Sequence, residues 1–264
     1  MRLSWVALSL VPAMWVLALV GGYDVVGDVD VTRASAAPSA AHWLGTDHLG
    51  RDVFWRLVTA SQAFVGPGLA AAVVALGLGL SAGAVAGWTG GPVAWAVRYV
   101  FTVVASVPRF VLVLLACAIY GNSVWTLAVA AGVAYAPTVG EAVHARIQSF
   151  RRAEFVLAAE AHGVHPLRIL GYHLLWVNTR RLAARHGLQL FAFLLLVETT
   201  LSYIGAFGAT AGFGVQEPTP SWGNMMGFEW GVPDANIWAT AAPALALWVV
   251  LMAALSASQR LEDP

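Results

Sequence analysis

Residues 64–88 read "FVGPGLAAAVVALGLGLSAGAVAGW", an apolar run that contains no charged side chain. A helix that crosses a bilayer needs about 20 mostly apolar residues, so this stretch predicts a membrane-spanning helix. Gly79, Gly83 and Gly87 recur at every fourth position and therefore share one helical face. Small residues at this spacing let helix backbones approach closely, which favours packing between spans over a ligand site along this face.

Five further apolar stretches of similar length predict five further spans. The composition of the whole chain also indicates a membrane protein, because 59% of its 264 residues are hydrophobic and 11% are charged, against about 25% charged in soluble domains. We therefore expect an all-α, polytopic membrane protein with six transmembrane helices, the fourth kinked at Pro137. The single cysteine, Cys117, excludes an intrachain disulfide and a cysteine-based metal cage. The further stretches are about 5–23, 93–120, 124–143, 187–207 and 237–257.

The first apolar stretch has an alternative interpretation as a cleaved signal peptide. Arg2 gives a basic start, and Ala34-Ser35-Ala36 resembles a cleavage site. That site lies too far beyond the apolar stretch for ordinary processing, which favours an uncleaved anchor. We expect residues 1–63 to form this anchor, an outside loop and an interfacial helix, and residues 64–264 to form a five-helix core.

The placement of arginine predicts the orientation, because basic residues concentrate in cytoplasmic segments. The chain contains no lysine. With both termini in the cytoplasm, the predicted outside loops, about 24–63 and 208–236, hold only Arg33, Arg51 and Arg56. The largest cytoplasmic segment is then about 144–186. The cytoplasmic arginines would be Arg2, Arg98, Arg146, Arg151, Arg152, Arg168, Arg180, Arg181, Arg185 and Arg260.

Residues 45–52, "GTDHLGRD", have the glycine spacing of a phosphate-binding P-loop but not its chemistry. Arg51 and Asp52 stand where the lysine and the hydroxyl residue are needed, so no nucleotide site is expected here. The apolar positions that follow fall on one helical stripe. The stretch therefore predicts a turn, capped by Thr46 or Asp47, that leads into a helix on the outer membrane face.

Residues 153–165, "AEFVLAAEAHGVH", lie in the large cytoplasmic segment and are dense in good helix formers up to Gly163, which can end a helix. Ala158, Ala159 and Ala161 give this segment a surface of small side chains. Such a short helix suits docking into a groove of another protein, although a solvated connecting helix fits the same pattern.

This segment resembles the "EAA" loop of importer-type ABC permeases, at Glu154, Ala158, Ala159 and Gly163. Three other motifs resemble the dipeptide, oligopeptide and nickel permeases and follow that family's order: "HWLGTDHLGRDVFWRL" at 42–57, "LVETTLSYIG" at 196–205 and "QEPTPSWGNMM" at 216–226. The resemblance covers the whole chain. It implies the type I ABC importer permease fold in a bacterial inner membrane and a coupling helix that contacts a cytoplasmic ATPase.

The resemblance also implies partners and cofactors. The partners are a second, homologous permease subunit, two cytoplasmic ABC ATPase subunits and an extracytoplasmic solute-binding protein, with no nucleic acid. ATP and Mg would bind in the ATPases, so this chain is expected to be a transport subunit with no cofactor or catalytic residue. The transported solute would be peptide-like, a related small solute, or a metal or metal chelate. The alternative is a secondary transporter or channel without an ATPase.

The sequence departs from the family pattern at three places. Trp176 and Val177 replace the usual proline and asparagine before the fifth span. About seven extra residues, 206–212, follow "LSYIG". Glu160 stands where arginine is common, which makes the expected docking surface more acidic. That surface would consist of Glu154, Ala158, Ala159, Glu160 and Gly163.

Arg109 and Glu198 are ionisable residues inside predicted spans, where such residues usually face the bundle interior or a water-filled path. Measured along continuous helices, Arg109 lies about 16 Å and Glu198 about 18 Å from the cytoplasmic side. Both are therefore near the middle of the bilayer. They are expected to form an ion pair, which would be structural, or to line a translocation path.

The outside loops supply the remaining candidate residues. Pro218, Pro220 and Trp222 predict a stiff, partly buried turn, either a lid or binding-protein contact or an aromatic membrane anchor. Asp47, Arg51 and Asp52 in the first outside loop are candidates for the same periplasmic gate or contact. The seven histidines form no known zinc spacing, so no metal site is expected.

Overall fold

The computed structural model describes residues 2–24, 29–206 and 214–261, with side chains from residue 9 onward. Within these ranges every regular element is helical, and a single antiparallel bridge joins Thr46 and Asp52. The helices are α1 Arg2–Gly21, a 3₁₀ turn Val31–Arg33, α2 Val53–Thr59, α3 Gln62–Thr89, α4 Gly91–Ala105, α5 Arg109–Tyr120, α6 Val124–Phe150, α7 Glu154–Ala161, α8 Pro166–Arg168, a π-helical segment Ile169–Asn178, α9 Thr179–Ala206, α10 Trp222–Phe228 and α11 Ile237–Arg260.

Four helical stretches among the described residues are long and apolar enough to cross a membrane, and a bent helix pair would make a fifth. The described apolar part of α1, Ser9–Gly21, is shorter than a full span. The prediction of an all-helical protein with several spans is therefore confirmed. The four stretches are Val53–Thr89, Val124–Phe150, Pro166–Ala206 and Ile237–Arg260.

The prediction of one continuous third span over 93–120 is wrong. Helix α4 ends at Ala105, α5 begins at Arg109, and the two helices are bent by 80° at the break. Pro108 explains the break, because proline lacks an N–H group and disfavours helical backbone at the residue before it. Arg109 is thus the first residue of a helix, and the depth of about 16 Å for a continuous helix does not hold.

Helices α3 and α6 pack along the glycines that recur every fourth residue. A Cβ atom added at Gly79 would lie 2.5 Å from the Val139 Cβ, and one at Gly83 would lie 3.0 Å from the Gly140 Cα. One at Gly87 would lie 2.9 Å from the Ile147 Cβ. The glycine face is therefore an interhelical contact. Later glycines of α3 contact later residues of α6, so the two helices run parallel.

A second packing region joins the predicted outside segments to the helices. Trp222 of α10 is fully buried, its ring centroid lies 4.6 Å from that of Phe64 on α3, and its Nε1 donates to the Leu57 carbonyl at 3.1 Å. Val11 of α1 and Val250 of α11 belong to the same buried cluster. This packing fixes α10 against α2 and brings the two outside loops together.

Candidate functional site

The stretch 45–52 folds as a tight turn that precedes α2. Gly50 has φ +76°, and a Cβ atom there would collide with the Asp30 carbonyl group, so the turn requires glycine. The cap of α2 is Asp52, whose Oδ1 accepts from the Trp55 amide at 2.9 Å. The expectation that Thr46 or Asp47 would cap this helix is wrong, because Asp47 bonds within its own turn.

Four charged residues from the two predicted outside loops form a cluster, which we call the outer charge cluster: Asp47, Arg51, Arg56 and Glu217. Arg51 Nε donates to Asp47 Oδ2 at 2.7 Å, and its Nη1 donates to Glu217 Oε2 at 2.6 Å. Arg56 Nη2 donates to Glu217 Oε1 at 2.7 Å, and its Nε lies 3.4 Å from Asp47 Oδ2. Each arginine therefore contacts both carboxylates.

Burial makes this pairing obligatory. The exposed fraction is 3% for Arg51, 1% for Arg56 and 4% for Asp47. A buried charge that loses its partner is strongly destabilising, so the two guanidinium groups and the two carboxylates hold one another in place. Burial lowers the pKa of Arg51, but the Asp47 and Glu217 carboxylates outweigh this effect and raise it.

His48 and Glu229 form a second contact between the two loops. Glu229 Oε1 accepts from the His48 amide at 3.0 Å and lies 2.8 Å from His48 Nδ1. Together with the outer charge cluster they line a small cavity of about 10 Å³. A cavity of this size can hold about one water molecule.

The same cavity brings donor atoms of Asp47, His48 and Glu229 within 4.8 Å of one another, which is a set that could hold a metal ion. The surroundings do not fit one. Asp47 Oδ1 already accepts from the Leu49 and Arg51 amides, and its Oδ2 accepts from Arg51. A cation would also lie beside two buried guanidinium groups, which would repel it.

The second outside loop forms a partly buried turn, as predicted. Pro218 is exposed, whereas Pro220 and Trp222 are buried. Because Trp222 is fully buried within the chain, it is not a membrane anchor. Asn224 secures the turn, since its Nδ2 donates to the Val215 carbonyl at 3.1 Å and the Thr219 carbonyl at 2.9 Å.

Glu198 supports this loop from α9. Ser202 Oγ donates to Glu198 Oε1 at 2.7 Å and accepts from the Val215 amide at 2.7 Å. Glu198 is 1% exposed, so it does not face an open path in this conformation.

Arg109 does not contact Glu198. Its Nη2 donates to Thr138 Oγ1 at 2.7 Å, and its guanidinium carbon lies 4.8 Å from the centre of the Tyr135 ring. None of the ion pairs found among the described residues joins Arg109 to Glu198, so the expected pairing is absent from this structure.

The segment that resembles the EAA loop forms α7, as the sequence predicts. Gly163, with φ +73°, follows the helix, and the Val164 amide donates to the Ala159 carbonyl at 3.0 Å. Val156 is fully buried and fixes α7 against the core. Ala159 is half-buried, and the outward surface is formed by Glu154, Ala158, Glu160 and Gly163.

Two departures from the family pattern fall near α9. Trp176 and Val177 lie in the π-helical segment 169–178, which leads directly into α9. Of the extra residues, Ala206 ends α9, and 207–212 lie outside the described residues.

Sequence reasoning missed Arg56, Glu217, His48 and Glu229 as site residues. A signal was present for three of them, because His48 and Arg56 lie inside the motif 42–57 and Glu217 lies inside the motif 216–226. The pairing of Arg56 with Glu217 depends on tertiary structure, since 161 positions separate them.

Comparison with known proteins identifies the family. The family model of the binding-protein-dependent transport system inner membrane component matches residues 75–263. The dipeptide transport system permease protein of Alkalihalophilus pseudofirmus is 28% identical over 215 residues, which cover 81% of this chain and 68% of the relative.

Two further relatives extend this finding. The nickel transport system permease protein of Escherichia coli K12 is 30% identical over 229 residues, covering 85% of this chain and 78% of the relative. The glutathione transport system permease protein of Pectobacterium atrosepticum is 26% identical over 225 residues, covering 84% of this chain and 71% of the relative. The chain therefore belongs to the family of binding-protein-dependent transport system inner membrane components, and it is a multi-pass membrane permease of the ABC importer class.

Proposed function

We propose that this chain carries a peptide-like or related small solute, or a metal or metal chelate, across a bacterial inner membrane, and that partner ATPases drive the transport through α7. The solute would be delivered by an extracytoplasmic binding protein. The chain itself would bind no ATP or Mg and would form the path together with a second, homologous permease.

The observation that carries this proposal is the geometry of α7. The helix is short, its buried Val156 fixes it to the core, and it presents Glu154, Ala158 and Glu160 outward. Phe155 and Leu157 are 41% and 53% exposed. Exposed apolar side chains beside small ones favour contact with another protein.

We place the chain in the type I importer fold with six spans and both termini in the cytoplasm. The parallel course of α3 and α6 supports this topology, because the predicted second and fourth spans would cross in the same direction. The proposed division into an anchor and outside region, 1–63, and a core, 64–264, follows the predicted spans. Contacts of α1 and α2 with α11 connect these two parts.

On the outer side, we propose that the joined loops form a gate or a contact surface for the binding protein. The outer charge cluster holds them together, and the exposed Pro218 lies next to Glu217 on this surface. Three relatives are named for the transport of dipeptides, nickel and glutathione. These names support the solute classes proposed above.

The test is copurification of the partner ATPase with the assembled transporter. Ala158→Arg and Gly163→Val should each abolish ATPase binding, because the first blocks the outward surface of α7 and the second strains the left-handed backbone at its end. Gly171→Val is the matched control, since a Cβ atom at Gly171 meets nothing within 4 Å. ATPase binding that survives both α7 variants would refute coupling through this helix, and ATP-independent transport by the chain alone would indicate a channel or secondary transporter.

A further inference from the structure

Helix α6 borders two separate cavities, which together we call the groove. Toward the start of α6, residues of α4, α5 and α6 line an apolar cavity of about 790 Å³, with Leu112, Leu115 and Ala134 among its walls. Toward the end of α6, residues of α4 and α6 line a second cavity of about 410 Å³, which includes the polar residues Arg98, His144 and Gln148. Arg109 contacts α6 at Thr138, which lies between the two cavities in the sequence of that helix.

The contacts of Arg109 fix its guanidinium group at this position. It shares a helical face with Val113 and Cys117, both buried, and its hydrogen bond to Thr138 uses one of its five N–H donors. The Tyr135 ring supports the group from one side. The residue is nevertheless exposed, so its remaining donors are accessible from outside the chain.

The polar groups near Arg109 have partners of their own. The Tyr135 hydroxyl donates to Gln189 Oε1 at 3.1 Å. Glu141, the acidic residue that follows Thr138 by one turn, is paired with Arg98 at 3.2 Å. Among the described residues, Arg109 belongs to no ion pair.

We propose that Arg109 is a specificity-determining residue that binds a carboxylate of the transported solute as it passes along this groove. Ionisable side chains of apolar membrane segments usually face the bundle interior or a water-filled cavity, which agrees with a path that passes Arg109. Arginine presents paired donors that match the geometry of a carboxylate. This inference rests on the proposed transport function and narrows the solute to compounds that carry a carboxylate group.

The first experiment tests whether water-soluble anions reach the groove more readily than cations do, and it does not require the natural solute. In a Cys117→Ser background, Leu112→Cys places a thiol one turn from Arg109, in the wall of the apolar cavity. The assembled transporter in membrane vesicles is treated with methanethiosulfonate reagents of similar size that carry a sulfonate or a trimethylammonium group. The readout is the ratio of the two reaction rates, normalised to a free thiol.

We expect the anionic reagent to react preferentially, and Arg109→Gln to lower the rate ratio by about tenfold, as loss of one nearby charge predicts. Arg109→Lys should preserve most of the preference. Val73→Cys is the control on an outward surface of α3, where 72% exposure in an apolar span predicts contact with lipid and slow reaction with both reagents. Failure of both reagents to reach Leu112→Cys, or an unchanged ratio in Arg109→Gln, would overturn the inference.

The second experiment measures uptake of a dipeptide mixture and of the same dipeptides as C-terminal amides. Arg109→Gln should reduce uptake of the free acids at least tenfold relative to the amides, whereas an equal reduction of both would indicate a structural role and overturn the inference. A wild-type complex that hydrolyses ATP but moves none of these peptides would refute peptide transport, a result distinguishable from loss of acid selectivity.

Discussion

Arg56 and Glu217 are 161 positions apart in the sequence, yet Arg56 Nη2 donates to Glu217 Oε1 at 2.7 Å, and the arginine is 1% exposed. Glu217 also accepts from Arg51, so one carboxylate joins two buried guanidinium groups of the first outside loop. Glu217 of the second loop therefore brings the outer charge cluster to a net charge of zero.

Removing this carboxylate should destabilise the outer side of the protein. Glu217→Gln leaves two buried arginines with Asp47 alone, and we expect the free energy of unfolding to fall by about 3 kcal/mol, as for other broken buried pairs. The measurement is the Tm of the purified chain in detergent. Arg33→Gln, which breaks the exposed pair with Asp30, should leave the Tm almost unchanged. Similar shifts in the two variants would contradict the role assigned to the outer charge cluster.

The contact between α3 and α6 should be sensitive to a single methyl group. Gly83→Ala would place a Cβ atom 3.0 Å from both the Gly140 Cα and the Val143 Cβ, and overpacking of this kind typically costs about 1–3 kcal/mol. Gly77→Ala is the matched control on the same helix, because nothing lies within 4 Å of its Cβ position. We expect a lower Tm for the first variant and an equal or higher Tm for the second, since alanine favours helix. The reverse order would exclude the glycine face as the packing surface.

The hydroxyl of Ser202 should control the order of the second outside loop. Ser202→Ala removes the hydrogen bond to Glu198 and leaves the buried Val215 amide without its partner, a loss of about 1–3 kcal/mol. Amide hydrogen exchange at 214–221 should accelerate accordingly. Thr200→Ala, two residues away, removes a bond within α9 to the Leu196 carbonyl and should not change exchange in the loop. Equal acceleration in both variants would argue against this specific connection.

The cap of α2 offers a test of local structure. Asp52→Ala should lower stability by about 1 kcal/mol, because the Trp55 amide loses its acceptor. Asp52→Asn retains a side-chain oxygen and should recover most of this loss. Thermal unfolding of both variants measures the difference, and equal destabilisation would instead assign the effect to the contact between Asp52 and His42, 2.7 Å apart.

Four of the six predicted spans, the second, fourth, fifth and sixth, correspond to long apolar helices among the described residues. They were predictable because each depends on a local property, the length of an apolar run. The end of α7 was predictable for a similar reason, since Gly163 adopts the left-handed backbone that glycine favours. The break between α4 and α5 had a local signal as well, Pro108, but the apolar run continues through it. Apolar character alone therefore indicated one helix where the structure has two.

The outer charge cluster could not be predicted in the same way. Arg51 and Arg56 are in the first outside loop and Glu217 is in the second, and nothing local specifies their pairing. They meet because Trp222 is buried against Phe64 and α2, which positions α10 and the residues just before it. The same dependence on packing explains why Arg109 contacts Tyr135 and Thr138 instead of Glu198.

Because Arg51 and Arg56 are buried, their accessibility to a protease would show whether the two loops have separated. Trypsin cleaves after lysine or arginine, and this chain has no lysine. In the first outside loop, the Arg33 side chain is 55% exposed, whereas Arg51 and Arg56 are almost inaccessible. With the proposed orientation, cleavage after Arg33 by a protease added outside would mark every molecule, and cleavage after Arg51 or Arg56 would mark those whose two loops have separated. The protease could then time this separation during the proposed transport cycle.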